Sequence, residues 1–578
     1  MSLSQEIQSA LCTAVEALSL SSSTVTVEPA SNTQFGDFST TIAMQLFPTA
    51  DKSQWNSPKQ LAESIIEKLQ EQGQLSAMIH SFSVAGPGFI NFTVTQTVFT
   101  ALLSKLITQE YDFKSVHDAQ TAIVEYSSPN IAKPFTVGHL RSTIIGDAVA
   151  NLLETTGYEV KRDNHLGDWG TQFGKLITAI MQMGEGSELA NIARISNAEA
   201  PVKELVKLYV EFHDKAEKDP SLEEIAREWF TKLEKGDEKA RELWQLCIDW
   251  SWTEFSAIYQ ELGVKFTENN GRGYGESFFE DKMDDVVSEL EASGHLKTGE
   301  KGAKLFFFPD EELPPLMILK NDGSTLYATR DLATDKFRLS TYGRDILVIN
   351  EVGAEQELYF RQIFRIEELL GWYKPGSRVH VKHGLYRFKD GKMSTRKGNT
   401  IWLEDVLVEA KNRALALSKE KNAETSTIVA IGSLKWNDLK RNSIQDITFD
   451  WDEILTMEGN SGAYIMYAIV RGKRVLEKGM NGHIDVTKLS ELNASERALA
   501  GHLLYFEDTV KRAAREYAPQ LLCTFLYTLA ALFNSFYTSN RILGESEHET
   551  KRLILTKATV GVLEKGLSVL GIDIPAEM

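Results

Sequence analysis

Hydrophobic and polar positions alternate along this chain in three successive regimes. Residues 3–18 and 58–73 carry apolar side chains at helical spacing, which predicts amphipathic helices. "FSVAGPGFINFTV" (82–94) breaks at Gly86-Pro87-Gly88, which predicts short strands joined by a turn. From about 116 the rhythm becomes strand followed by helix: "TAIVEY" (121–126) is an apolar strand run and "TIIGDAVANLLE" (143–154) is amphipathic. Charge-rich helical sequence from about 183 to 265 interrupts this alternation. Strand-like runs return with "KLFFF" (304–308), "DILVIN" (345–350) and "VHVKHGLY" (379–386). After about 405 almost only helical spacing remains, as in "YIMYAIVRGKRVLEKG" (464–479) and "LLCTFLYTLAALFNSFY" (521–537).

The pattern predicts a multidomain α/β protein. Residues 1–115 form a small α+β domain. Residues 116–405 form a Rossmann-like domain, a doubly wound parallel sheet with a helical insertion at about 183–265. Residues 406–578 form an all-α domain.

At 578 residues the chain is too long for one core, in keeping with three or more domains. No unbroken apolar run approaches the roughly 20 residues of a membrane span, and the acidic amino terminus lacks the basic start of a secretory signal. Cys12, Cys247 and Cys523 lie far apart without C-x-x-C spacing, so no disulfide framework, structural zinc or other resident metal is expected. A cytoplasmic protein without membrane contact follows. The net charge of −19 argues against a nucleic-acid partner at face value. It is uneven, however: the first 115 residues hold five basic against ten acidic side chains, while 461–578 hold 14 against 13. Any nucleic-acid partner must therefore be argued from motifs.

Two stretches carry chemistry. "SSPNIAKPFTVGHLRSTIIGD" (127–147) lies between the strand run and a helix start, where α/β sheets bind nucleotides. Gly138 lets a base or ribose approach the backbone, and His139 and Lys133 can donate to phosphoryl oxygens. Taken alone, Gly138 or His139 would read as an ordinary strand-to-helix turn. "KMSTRKGN" (392–399) is a cationic loop suited to covering a triphosphate, although alone it would read as a solvated hairpin.

Together the two stretches resemble the His-x-Gly-His and Lys-Met-Ser-Lys-Ser signatures of class I aminoacyl-tRNA synthetases. In detail they are similar to the arginyl-tRNA synthetase family, as are "NHLGDWGTQFGKL" (164–176), "YATRDLAT" (327–334), "QFGDFSTTIAMQL" (34–46), "AGPGFINF" (85–92) and "FDWDEILTMEGNSGAYIMYAIVR" (449–471). The resemblance spans almost the whole chain. It implies an ATP-dependent arginine–tRNA ligase: the arginine carboxylate attacks the α-phosphate of Mg2+-bound ATP, and the adenylate then acylates tRNA.

Site residues follow from the resemblance. His139, Lys133, Lys392 and Arg396 act on the phosphates, and Thr136, Gly138, Met393 and Ser394 complete the ATP site. Thr136 stands where the signature has its first histidine, and Arg396 where it has its second lysine. Asn130, Glu276, Tyr327, Asp331 and Gln356 hold arginine. Tyr327 and Asp331 share a helix face if "TLYATRDLATDKF" is helical, and a phenol beside a carboxylate suits a guanidinium. Tyr359 stands where the family often has histidine. Asp168 is expected as a buried anchor and Trp169 as core. Tyr464, Tyr467 and Arg471 fall at helical spacing and are candidates for contacting the anticodon. The expected partners are arginine tRNA, L-arginine and ATP, bound by a monomer. Two other readings are a different nucleotidyl-transfer enzyme of the same superfamily, which the long helical carboxyl-terminal region and "MSTRKGN" oppose, and a synthetase-like RNA-binding or scaffold protein without activity, which retention of His139, Lys133, Asn130 and Asp331 opposes.

Overall fold

The computed structural model describes residues 2–22, 25–30, 34–114, 119–184, 187–299, 301–388, 401–418, 421–479, 485–544 and 547–578. At its centre is a four-stranded sheet of β1 (Thr121–Glu125), β2 (Glu159–Asp163), β3 (Leu347–Gly353) and β4 (Arg378–His383). The spatial order is β4-β3-β1-β2 and every pairing is parallel. Parallel strands need crossovers, and helix α1 (Val137–Thr155) supplies the one between β1 and β2. It lies hard against β1: a Cβ on Gly146 would sit 2.2 Å from the Tyr126 Cβ, so only glycine fits there. Helices α2 (Tyr327–Tyr342) and α3 (Glu357–Leu369) flank β3 on either side in sequence. Crossover helices run back against their strands, so α2 begins near the carboxyl edge of the sheet. This topology puts the ends of β1, β2 and β3 and the start of α2 on one rim.

Between β2 and α2 lie helices Glu188–Ser196, Pro201–Ala216, Ser221–Glu234 and Glu238–Glu261, then an antiparallel sheet of Leu296–Thr298, Lys304–Phe306 and Leu316–Leu319. The amino-terminal unit packs helices Leu3–Ala17 and Pro58–Gln72 on an antiparallel sheet. Its hairpin, Ile79–Ala85 paired with Phe89–Val94, turns at Gly86-Pro87-Gly88 as the alternation suggests. Buried Asp37 ties this unit to the carboxyl-terminal helices by accepting from Arg497 at 2.6 Å.

The carboxyl-terminal region is helical, including α4 (Ala423–Leu439) and α5 (Gly462–Gly479). One short strand interrupts it: Ile447–Phe449 pairs in parallel with Tyr386–Phe388. Three residues are too few to register as a period, which is why the sequence pattern passes over it. Helix Pro519–Ser539, at 21 residues, is long and apolar enough to cross a bilayer by composition. A search for unbroken apolar runs misses it because Thr524, Thr528, Asn534 and Ser535 are interspersed. Here Leu522, Phe525, Leu526, Leu529, Phe533 and Phe536 are buried within the helical bundle.

α4 binds this bundle to the central sheet through charge. Arg141 on α1 is buried, pairs with Asp438 at 3.1 Å and donates to the Gln445 and Ser443 carbonyls at 2.8 and 3.0 Å. The Tyr386 hydroxyl donates to the second Asp438 oxygen at 2.7 Å.

Candidate active site

The chain leaves β1 through a turn whose backbone is held by side chains from elsewhere. Ser127, Ser128 and Ala132 adopt φ of 71°, 45° and 57°, an unfavourable region for residues with a Cβ. Each is clamped. Ser127 N–H donates to Ser142 Oγ at 2.9 Å, Ser128 N–H to Asn164 Oδ1 at 3.1 Å, and Ala132 N–H to Ser251 Oγ at 3.0 Å. The turn also zips to the segment after β2, with Ile131 N–H donating to the Gly167 carbonyl and Gly167 N–H to the Pro129 carbonyl, both at 3.1 Å. A Cβ on Gly167 would lie 2.4 Å from Asn130 Oδ1, so glycine is required for this approach. Asn130 is thereby fixed beside the β2 loop, at the rim.

At the start of α1, Thr136 is the N-cap, and its N–H donates to His139 Nδ1 at 3.0 Å. The Thr136 hydroxyl lies 3.1 Å from the same nitrogen, so this side chain is directed at His139. The imidazole stacks on Phe135 with centroids 5.2 Å apart and planes at 8°. Burial, with lesser effects from His383 and Lys133, pushes its pKa down to about 4. Neutral, with Nδ1 accepting, His139 carries its proton on Nε2. Gly138 and Lys133 are exposed beside it.

Lys392, Met393, Ser394 and Arg396 lie outside the described residues. Beyond them the Ile401 carbonyl accepts from Val137 N–H at 3.4 Å, and Leu403 N–H donates to the Phe135 carbonyl at 2.8 Å. Residues 401–403 thus lie beside Thr136.

A second cluster forms where α2 begins. Tyr327 opens the helix and is 59% exposed, while Asp331 lies one turn on, its side chain 30% exposed. The Tyr359 hydroxyl donates to Asp331 Oδ2, and His165 Nε2 stands 3.9 Å from Oδ1. Burial raises the Asp331 pKa to about 6, offset in part by His165 and Tyr359. Beneath lies a small cavity lined in part by Glu125, His165, Asp331, Asp335 and Arg338. Its floor is a buried ion network. Arg338 bonds Glu125, Asp163 and Asp335 at 2.5, 2.8 and 3.0 Å, and Arg378 bonds Asp335 and Glu367 at 2.9 and 3.0 Å. Four carboxyls share two guanidiniums. Burial raises Glu367 well above the carboxylate range, whereas Arg378 and Arg338 outweigh burial and hold Asp335 low.

The remaining expected arginine contacts are less uniform. Gln356 is exposed at the turn that leads from β3 into α3, on the same rim. Glu276 is strapped to the β2 loop by donating its N–H to the Leu166 carbonyl at 3.0 Å. Its carboxylate faces Arg330 of the chain itself at 3.4 Å, and Arg330 also bonds Glu280 at 3.0 Å. Asp168 is the buried anchor its setting suggests, accepting from the Ser277 N–H and hydroxyl at 2.7 Å each, and Trp169 is core.

Comparison with known proteins gives the arrangement a family. A model described as "tRNA synthetases class I (R), catalytic domain" matches residues 100–451. "DALR anticodon binding domain" matches 465–578, and "Arginyl tRNA synthetase N terminal domain" matches 1–94. The chain belongs to the arginyl-tRNA synthetase family. An arginine–tRNA ligase of Fusobacterium nucleatum is 38% identical over 570 residues, covering 96% of this chain and 95% of that protein. One from Clostridioides difficile is 37% identical over 577 residues, covering 98% and 97%. The fold matches the arginyl-tRNA synthetase of Plasmodium falciparum with a TM-score of 0.83, at 24% identity over 100% of this chain and 99% of that one. It matches that of Thermus thermophilus with a TM-score of 0.80, at 23% identity over the full length of both.

In this synthetase the three carboxyl-terminal candidates all lie on α5, but they differ in setting. Tyr464 is half-buried against Tyr527, with centroids 5.9 Å apart, and the Arg471 guanidinium lies 3.5 Å over the Tyr537 ring. Tyr467 is 39% exposed and lines a groove with Leu417, Met457, Arg474 and Met578. Sequence reasoning assigned no role to Glu125, His165 or the Tyr359 bond. The first had a signal, a lone acid ending an apolar strand, and the second sits inside a stretch that was recognised only as a signature. A further pair, buried Glu351 and His383, whose Oε1 and Nδ1 are 2.8 Å apart, joins the ends of β3 and β4 and left no signal in either strand pattern.

Proposed function

We infer that this chain ligates L-arginine to its cognate tRNA, using ATP and forming arginyl-adenylate on the way. One observation carries the residue assignments. A neutral imidazole donor at the start of α1 and a carboxylate cleft at the start of α2 share one sheet rim, joined through the Asn130–Gly167 bridge and the His165–Asp331 approach.

In the first step an arginine carboxylate oxygen bonds to the α-phosphorus of ATP and the bond to pyrophosphate breaks. In the second, the terminal ribose hydroxyl of tRNA attacks the acyl carbon and AMP leaves. We assign His139 Nε2–H and the Lys133 ammonium to the developing phosphate charge, with Thr136 and Gly138 lining the ATP site. We assign Lys392, Met393, Ser394 and Arg396 to the triphosphate as well. Asn130 and Gln356 orient the amino-acid end of arginine. Tyr327 and Asp331 receive the guanidinium, supported by a floor in which carboxyls outnumber guanidiniums, so a cation is favoured over a neutral side chain. Glu276 acts on this pocket through its pairing with Arg330. On α5, Tyr467 is the foremost contact for an unpaired anticodon base, with Tyr464 and Arg471 beside it.

Among the described residues no group of three or more His, Cys, Asp or Glu is arranged to hold a metal ion. In this scheme Mg2+ enters on the triphosphate of its substrate. Residues 1–115 bind tRNA, 116–405 carry the chemistry and 406–578 read the anticodon, in a monomer working in the cytoplasm. The test is incubation with ATP, labelled arginine and total tRNA. Acid-precipitable label that depends on all three supports the reading, and its absence refutes it.

A further inference from the structure

We propose that Tyr359 sets arginine specificity by holding the Asp331 carboxylate in the orientation that receives the guanidinium. The inference rests on the assignment of Asp331 to the arginine side chain.

The two residues come from different helices. Asp331 is in the second turn of α2 and Tyr359 in the first turn of α3, and the phenol hydroxyl donates to Oδ2. The Tyr359 ring is wedged between Tyr327, with centroids 5.1 Å apart, and Phe360 at 5.5 Å. Phe360 in turn packs on His380 of β4 at 4.6 Å. The phenol is therefore held from the sheet side, and its hydroxyl has one partner direction. An ionised carboxylate has about four lone-pair sites, of which the phenol takes one. Oδ1 remains directed toward His165, whose Nε2 is 3.9 Å away, too far for a hydrogen bond. The result is a carboxylate pinned at one oxygen and open at the other, beside the exposed Tyr327 ring. A planar guanidinium needs that fixed geometry. The single ammonium of lysine does not, so discrimination depends on the pin.

Tyr359 also acts on charge. The charged and titratable groups around Asp331 include Tyr359 from α3, His165 and Glu276 from the β2 loop and the segment strapped to it, Glu125 from β1, and Asp335 and Arg338 from α2 itself. Of these, His165 and Tyr359 favour the ionised form, while Glu125, Asp335 and burial oppose it. Removing the hydroxyl therefore moves Asp331 further toward its neutral form, which lacks the negative charge that attracts a guanidinium.

The experiment is steady-state aminoacylation by full-length wild type, Tyr359→Phe and Tyr359→His between pH 5.5 and 8.5, with folding monitored by thermal unfolding. Loss of a charge-assisted hydrogen bond should raise the KM for arginine about tenfold in Tyr359→Phe, with kcat and the KM for ATP within about twofold. Selectivity for arginine over lysine should fall, and the acid limb of kcat/KM for arginine should move to higher pH. Tyr359→His keeps a ring and a donor and should recover most of the loss. An unchanged arginine KM and acid limb in a folded Tyr359→Phe overturns the proposal. So does an equal loss in both variants, which would make the ring, not the hydrogen bond, responsible. Wild type inactive with arginine would instead refute the functional assignment itself.

Discussion

The backbone N–H of Thr136 donates to His139 Nδ1 at 3.0 Å, which decides the protonation of that imidazole. With Nδ1 accepting and burial holding its pKa down to about 4, His139 is a neutral Nε2–H donor throughout the physiological range. Catalysis should then show no titration of His139 near pH 6.5, and nitrogen NMR of the labelled ring should report the Nε2–H tautomer. His139→Ala should slow adenylate formation on the order of a hundredfold or more, as for loss of one preorganised donor. His139→Gln, which returns an N–H near Nε2, should recover part of it. A protonated ring at pH 7 would sink this assignment.

The same contact bears on Thr136 itself. Its hydroxyl is directed at Nδ1, 3.1 Å away, and so assists the imidazole it precedes; it does not replace the histidine that the signature would place at 136. Thr136→Ala keeps the backbone donor and removes only the hydroxyl and part of the cap, worth about 1 kcal/mol of helix stability. Lys133 is exposed on the same turn. Lys133→Ala should cost on the order of 3 kcal/mol in the transition state, about a hundredfold in single-turnover adenylate formation. Thr136→Ala should stay within about tenfold. Equal or reversed losses would give the phosphate contact to Thr136.

How much of this was legible beforehand depends on where each interaction lives. The change from a period of two at "TAIVEY" to helical spacing at "TIIGDAVANLLE" announces β1 and α1, because both elements are local and amphipathic. Tyr327 and Asp331 were legible as a pair because one helical turn separates them. The Tyr359–Asp331 bond was not, since its partners are 28 residues apart on helices whose relative placement only the packed sheet decides. Glu276 shows the opposite limit. An acid suited to a substrate guanidinium also lies 3.4 Å from Arg330, a neighbour that only the packed structure reveals. The strand Ile447–Phe449 is held by its neighbour Tyr386–Phe388, so its three residues carry no pattern of their own.

Asp331 should separate activity from stability. Its pKa is raised to about 6, so the native state binds this proton more tightly than the unfolded chain does. That contribution to stability is present below the unfolded value near 4 and is lost as pH rises through 6. At pH 7 the ionised group therefore costs stability while serving the guanidinium. Asp331→Asn should raise the KM for arginine at least about tenfold, leave that for ATP unchanged, and unfold no more easily than wild type. In wild type, kcat/KM for arginine should fall as pH drops below about 6. Wild-type arginine dependence in the variant would remove Asp331 from the substrate site.

The carboxyl-terminal helices are joined to the catalytic rim through α4. α4 packs on α5, which carries Tyr467, and reaches α1 through the buried Arg141–Asp438 pair at 3.1 Å. Lys435, one turn earlier on α4, is buried near Asp147 of α1 and donates to the Gly571 carbonyl at 2.6 Å. Removing one member of a buried pair leaves the other uncompensated, so Asp438→Asn should cost about 3–5 kcal/mol in denaturant unfolding. The helix that carries His139 is thus fastened to the helix that leads into the anticodon domain. Residues 401–403, which follow the basic segment 392–399 in sequence, bond to the chain on either side of Thr136 at the start of that same helix. A tRNA gripping α5 and the catalytic rim together has differential affinity for whichever arrangement of these parts is productive, and can shift the population toward it. Pyrophosphate exchange with arginine and ATP should therefore require tRNA. tRNA lacking its terminal adenosine should still meet the requirement, because binding and not acylation supplies the shift. Full exchange in enzyme stripped of RNA would show that the rim is already productive alone and that the α1–α4 fastening is structural only.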